Sequence, residues 1–381
     1  NNSSAQSYKN IHNNAIVIDG HNDFFTYAID SGYQFEQNLT GKTQSDLQRM
    51  KEGGIDVQVF CVWNDQEMKQ PFSNANLQLD FLDACVKHNP DKMKLVYSPG
   101  DLEQAVTQKK FGVMIGVEGG HMIEDDLNKL DSFYKRGVRY MTLTWQNSTT
   151  WATSAKDETK NTVPNPKKGL NDFGKQVIKR MNELGMMIDI SHVGEQTFWD
   201  VINMTTKPII ASHSCVYNLS KTYHNLKDDQ IKAIGKNNGI IMVAFVPHFL
   251  DSNWVKRILA FDAQHKAEED SVLKTNNDAN FLGRFIYSKY PRESELIDSV
   301  PMSILIDHID YIVKMIGVDH VGLGSDFDGM LDFPNLRQGL NGNGVLDFPK
   351  ITEALVQRGY SKKDIEKILG GNFIRVFKAN M

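Results

Sequence analysis

Eight short runs of apolar and β-branched residues punctuate the chain, at 15–19, 55–63, 113–117, 138–145, 186–190, 208–212, 239–246 and 321–325. Their hydrophobicity is nearly continuous rather than alternating, the pattern of strands covered on both faces of a parallel sheet. Helical periodicity lies between several of them. Within 77–86, Leu77, Phe81, Leu82 and Cys85 fall on one face; within 171–184, Phe173, Val177, Met181 and Leu184 do the same. Asn171 or Asp172 caps the start of the second helix and Gly185 stops it. Pro301 suits the first turn of a helix carrying Ile304, Leu305, His308, Ile309, Ile312 and Val313. Ser361 and Asp364 form a capping-box pattern ahead of 365–369, with Gly370 as the expected stop.

Eight strands alternating with helices predict an α/β fold, a (β/α)8 TIM-like barrel occupying 1–381 as one domain. A doubly wound open sheet is the rival, but it does not favour ligand-type residues at nearly every strand end. Two connections, 146–170 and 247–300, are long and polar or charged. Unstructured loops of that length are usually functional, so both are expected as lids over the C-terminal ends of the strands.

Composition narrows the partners. The formal net charge is −5, with mixed signs and no basic block, so neither nucleic acid nor an anionic membrane is expected. No apolar run approaches the ~18 residues of a membrane span. Cys61, Cys85 and Cys215 are odd in number and two sit in apolar or strand-like runs, so all three are expected as free thiols. The polar start, Asn-Asn-Ser-Ser-Ala-Gln-Ser without Met, is compatible with an exported (periplasmic or cell-envelope) chain and with a trimmed one; an exported location is favoured over a cytoplasmic one.

The candidate chemistry lies where the runs end. The first run leads into His21 and Asp23, an imidazole and a carboxylate on one side of a strand. The third leads to Glu118, the fifth to His192, the sixth to His213 and the last to Asp326. A single histidine beside an apolar run is usually structural. Six metal-competent side chains at the same end of five strands are not explained that way, because burying them together is costly without a cation. The set exceeds the needs of one tetrahedral zinc and suits two ions with a shared Glu. Two divalent ions generate a hydroxide nucleophile at neutral pH and polarise a carbonyl, which is hydrolytic chemistry, with Asp326 as general base. Zinc fits the donors, and manganese, iron or cobalt would too.

Taken together, Asp19-Gly-His-Asn-Asp23, Gly116-Val-Glu-Gly-Gly-His121, Arg139-Tyr-Met-Thr-Leu-Thr144, Ser212-His-Ser214, Gly324-Ser-Asp-Phe-Asp-Gly329 and Gly370-Gly-Asn-Phe-Ile-Arg-Val-Phe377 resemble the membrane dipeptidase family of metallopeptidases, within the amidohydrolase-type barrels. The resemblance runs from about Ile11 to the C-terminus. It implies that His21 and Asp23 bind one metal, Glu118 bridges, His192 and His213 bind the second, and Asp326 contacts a metal-bridging hydroxide. It also implies a zinc-dependent homodimer that cleaves dipeptides, often with a D-residue at the C-terminal position. Three positions depart from the family pattern: Trp145 replaces a His that polarises the scissile carbonyl, His224 an Arg that grips the substrate carboxylate, and Val246 the last residue of Asn-Phe-Tyr.

Trp145, His224 and Val246 are therefore the substrate-binding candidates. If His224 serves as the clamp it works protonated, with Lys221 next in line. The departures raise a second reading, hydrolysis of another small amide such as an N-acyl amino acid or a β-lactam; a non-catalytic binding barrel is the third. Asp19 and Asp189 are expected to support ligands, Asp328 to orient its loop, and His121 to serve a ligand or its own loop. His248 is expected to line the pocket or to be exposed. Trp151 is expected to floor a cleft or pack under the lid, and His12, His88, His265, His308 and His320 to occupy surface or helix positions.

Overall fold

Among the described residues, nine strands form one parallel sheet: β1 (Ile18–Asn22), β2 (Val57–Trp63), β3 (Met93–Leu95), β4 (Phe111–Glu118), β5 (Val138–Thr142), β6 (Met187–Asp189), β7 (Ile210–Ser214), β8 (Ile240–Val243) and β9 (Val321–Leu323). β2 pairs with β1 on one side and β4 on the other, so every strand but β3 belongs to a closed ring. With helices between successive strands, this is a (β/α)8 barrel. The computed structural model describes residues 2–275, 285–286, 289–290, 300–329 and 342–381. Much of the expected 247–300 lid, at 276–284, 287–288 and 291–299, lies outside the described residues.

The extra strand, β3, lies beside the first residues of β4, from Met93 opposite Phe111 to Leu95 opposite Val113, before β5 takes over that edge from Ile115 onward. Three residues with a lysine in the middle carry too little hydrophobic pattern to be seen in sequence. Inside the ring, large and small side chains alternate. A Cβ on Gly20 would lie 2.4 Å from the Met242 sulfur, and one on Gly116 would lie 2.5 Å from the Tyr140 ring. Both glycines therefore leave the room that these two buried side chains fill.

The helical expectations hold in outline and differ in detail. Helix Pro71–His88 buries Ala75, Leu79, Leu82, Cys85 and Val86, whereas Leu77 is 54% exposed. The polar Gln78 holds a buried position by donating its amide N–H to the Trp63 carbonyl at 2.7 Å. Asn171 caps helix Asp172–Leu184 by accepting from Gly174 N–H at 3.0 Å, and Gly185 ends it at φ 80°. Pro301 is the cap of helix Met302–Ile316 rather than its first residue.

Gly370 does not stop its helix. The chain passes from Lys362–Glu366 through a wider π-turn at Lys367–Gly371 into Asn372–Asn380. Gly370 is needed for proximity, since a Cβ there would lie 2.2 Å from the Ile16 carbonyl oxygen. The three cysteines are buried free thiols. Among the described residues, no helix is long and apolar enough to cross a membrane.

Candidate metal centre

The barrel brings all six metal-type side chains to one place. His21 Nε2 lies 3.5 Å from Asp23 Oδ2, 3.4 Å from Glu118 Oε2 and 3.7 Å from Asp326 Oδ1. The other oxygen of Glu118, Oε1, lies 2.8 Å from His192 Nε2 and 3.3 Å from His213 Nε2. Not all of them sit on strand ends as the apolar runs suggested. Asp23 follows β1 and begins helix Phe24–Ser31. His192 and Asp326 lie three residues beyond β6 and β9, both in left-handed backbone, at φ 64° and 62°.

That conformation is uncommon for non-glycine residues and marks places where the surroundings hold a side chain in a chosen direction. The His192 carbonyl is held by Ala155 N–H at 2.8 Å and the Thr144 hydroxyl at 3.2 Å. Segment 146–170, expected only as a lid, thus fixes a ligand-type residue from behind, through its helix Ala155–Lys160.

Hydrogen bonds on the far side of the imidazoles set which nitrogen faces the cluster. The Tyr140 hydroxyl donates to the Gly20 carbonyl at 3.0 Å, so at 2.8 Å it accepts from His21 Nδ1–H. The Ser212 hydroxyl donates to Asp189 Oδ2 at 2.6 Å, so at 2.8 Å it accepts from His213 Nδ1–H. Both rings then turn a lone pair on Nε2 inward. Asp189 also accepts from the Thr142 hydroxyl and from Ser191 and Ser212 N–H. Asp19 accepts from Ser325 through its hydroxyl at 2.5 Å and its N–H at 2.7 Å. These are the supporting partners expected of a metal site. Tyr140 and the serines were missed in the sequence, although Ser191, Ser212 and Ser325 each directly precede a ligand-type residue.

Electrostatics mark the cluster as incomplete without a cation. Burial pushes the Asp326 carboxyl well above the usual carboxylate range; His21 opposes this, and the Asp23 and Glu118 carboxylates reinforce it. Burial would also raise Glu118, but His21, His192 and His213 hold it well below. Burial and the neighbouring His21 bring His213 down to about 4. His21 Nε2 and Asp23 Oδ1 are buried with no hydrogen-bond partner among the described residues. Inward lone pairs beside carboxylates, with buried atoms unsatisfied, fit divalent metal ions. Three groups of donors, His21–Asp23–Glu118, His21–His213–Asp326 and His192–His213–His224, each lie within 4.8 Å of one another.

The substrate candidates separate. Trp145 stands edge-on to Trp63 at 4.8 Å, with its Cβ 3.6 Å from where a Cβ on Gly119 would be, beside Glu118. Val246 is a buried residue that caps helix Pro247–Leu250. His224 is buried against His192, with ring centroids 4.2 Å apart. Burial, then His192 and His213, keep its pKa well below the ordinary value, so this position disfavours the protonated clamp. Lys221 is exposed on the rim of an adjoining cavity of about 850 Å³ that His224 and His248 also line.

The remaining positions are structural. Asp328 accepts from Gln44 N–H at 2.6 Å and from the Ser45 hydroxyl, tying its loop to the segment before helix Leu47–Glu52. His121 bonds to the Asn64 carbonyl at 3.0 Å, and Trp151 is fully buried edge-on to Phe173. His12 and His308 are on helices but fully buried.

Comparisons with known proteins agree with one another. The family model for membrane dipeptidase, peptidase family M19, matches residues 5–381. A dipeptidase tcpJ of Claviceps purpurea is 29% identical over 94% of this chain and 76% of its own length. An uncharacterized dipeptidase of Schizosaccharomyces pombe is 30% identical over 98% and 82%. The probable dipeptidase PvdM of Pseudomonas aeruginosa superposes with a TM-score of 0.78 at 24% identity, over 100% of this chain and 98% of that one. A Rhodobacter sphaeroides metallopeptidase liganded with a phosphinate mimic of L-Ala-D-Ala superposes with a TM-score of 0.75 at 20% identity, over 97% and 100%. The chain belongs to the membrane dipeptidase family, M19, and so to the metallopeptidases, hydrolases of the peptide bond.

Proposed function

We propose that the chain hydrolyses dipeptides at a centre that takes two divalent ions, zinc first among the candidates. The observation that carries this reading is Glu118. Its Oε2 faces His21 and its Oε1 faces His192 and His213, so one carboxylate serves two donor groups. His21 and Asp23 would hold one ion and His192 and His213 the other, with Glu118 between them. When bound, two such ions acidify a water and polarise the scissile carbonyl.

The chain supplies the rest. Asp326 Oδ1, beside His21, takes the proton of the attacking water and returns it to the leaving amine. Tyr140 and Ser212 keep the imidazoles in one tautomer through the cycle. Trp145 and Trp63 wall the site beside Glu118 and restrict water there. The cavity lined by His248 and Lys221 is the place for the substrate's C-terminal residue, and the phosphinate mimic of L-Ala-D-Ala carried by the Rhodobacter relative makes a D-residue there the first variant to try. His224, disfavoured as a cation, supports a second reading in which the substrate is another small amide rather than a dipeptide, such as an N-acyl amino acid or a β-lactam. The family resemblance adds the expectation of a homodimer, which sedimentation equilibrium decides.

Elemental analysis paired with an L,L and L,D dipeptide panel, before and after chelation, tests the proposal. It expects about two ions per chain and cleavage that chelation removes and zinc restores. Two ions with cleavage confined to other amides would select the second reading. No bound ion, and no rescue by zinc or manganese, would sink the two-ion centre.

A further inference from the structure

His224 is unlike the other fully buried histidines outside the six-residue cluster. His308 accepts from Val216 N–H at 3.0 Å and donates to the Leu250 carbonyl at 2.9 Å. His12 bonds to the Thr352 hydroxyl at 2.7 Å and the Gly53 carbonyl at 2.9 Å. His224 is 4% exposed, and neither of its ring nitrogens has a hydrogen-bond partner among the described residues. A buried nitrogen left unsatisfied costs about 1–3 kcal/mol, so a position that leaves both bare needs a compensating ligand.

The ring is also firmly aimed. It lies flat on Phe249, at 3.9 Å and 8°, with its edge directed by that stack. The next residue, Asn225, donates its amide to the Ser220 carbonyl at 2.8 Å and the Phe249 carbonyl at 2.7 Å, locking the loop. One nitrogen of His224 thereby comes within 4.8 Å of a nitrogen of His192 and of His213. Phe249 and Asn225 thus act as positioning residues for an imidazole that faces that nitrogen pair.

We propose that His224 is a metal ligand: together with His192 and His213 it makes a three-imidazole pocket for the second ion, in place of gripping substrate. This rests on the two-ion reading above. Three neutral imidazoles and one Glu118 oxygen would supply four donors to a divalent ion such as zinc or cobalt, with a further position left for water. The substrate's carboxylate is then left to groups in the adjoining cavity, of which Lys221 makes no ion pair among the described residues.

The test uses the whole protein loaded with cobalt. Proton NMR of the paramagnetic centre gives one hyperfine-shifted, exchangeable ring N–H signal for each ligating histidine. The proposal expects four such signals, from His21, His192, His213 and His224, and the loss of one in His224→Gln. Equilibrium titration should show the second cobalt weakened by about 100-fold or more in His224→Ala, at the upper end of what losing a mere supporting partner does, with the first unchanged. Three signals in the unsubstituted protein, or unchanged affinity for both ions in the variant, would overturn the role of His224 while leaving the two-ion centre standing. Failure of the unsubstituted protein to bind two ions would overturn both. The signal count is made on the native sequence, so it stands even if a variant fails to fold.

Discussion

Asp326 holds its carboxylate in a backbone conformation that few aspartates adopt, anchored by its own N–H on the His21 carbonyl at 3.1 Å. The carboxylate is therefore placed by the main chain of two strands rather than by its rotamer alone. Asp326→Asn keeps the shape and removes the proton acceptor. Its ion content should match the native protein, while kcat falls by about 10²–10⁴. A variant that loses ions as fast as activity would assign Asp326 to binding instead. Residue-level chemistry was the most legible layer of the sequence, because His and carboxylates beside apolar runs are rare and stand out. The departures come from backbone geometry. Nothing in Ile190-Ser191-His192 announces a left-handed histidine three residues past its strand. For His224 the sequence gives a residue type and a conditional clamp, and leaves out the aromatic stack and the neighbouring imidazoles that bear on its charge.

At the level of elements, strand ends meet with no slack. A Cβ on Gly324 would lie 1.8 Å from the Ser212 carbonyl oxygen, a backbone atom that cannot rotate away. Gly324→Ala should therefore force the chain after β9 away from β7 and cost at least about 1–3 kcal/mol in urea unfolding; a neutral substitution would mean that the strands part easily. The opposite end of the barrel has its own cost. Asp56 accepts from Val17 N–H at 2.8 Å, and burial pushes its carboxyl up to about 6. A folded pKa above the unfolded one means folding takes up a proton, so this stabilisation is full below pH ~4 and fades as pH rises through about 6. Asp56→Asn keeps an acceptor and cannot ionise. Relative to the native protein it should gain up to about 3 kcal/mol between pH 4 and 7, and a difference that stays flat with pH would refute this. Strand positions were visible because buried parallel strands are nearly unbroken apolar runs. The face of Pro71–His88 was misjudged because Gln78, a polar residue, takes an inward place through its hydrogen bonds.

For the molecule as a whole, the centre draws on β1, β4, β7 and the turns after β1, β6 and β9, so an ion there braces most of the ring. Ligands that bind only the folded state stabilise it by about 2.7 kcal/mol at 100-fold excess over Kd. For a chain of this size that is roughly 3 °C in melting temperature. Stripping the ions should lower the calorimetric midpoint by at least this much, and restoring zinc should recover it. An unchanged midpoint would mean that the barrel stands without the centre's help. The ring's closure was legible in sequence only as a count of runs. The β2–β4 pairing that encloses it, with β3 displaced below, comes from three-dimensional register that no local pattern carries.

The seam between β1 and β9 gives this arrangement a timetable. Asp19 and Ser325, whose side chains join across it, are 306 positions apart in the chain. Translation at about 5–20 residues per second puts roughly 15–60 s between the emergence of His21 and that of Asp326. During that interval the early donors exist without the later ones, in an unclosed sheet. Metal capture is thus an event of the finished polypeptide, and the ion acquired is drawn from whichever compartment the last strand docks in.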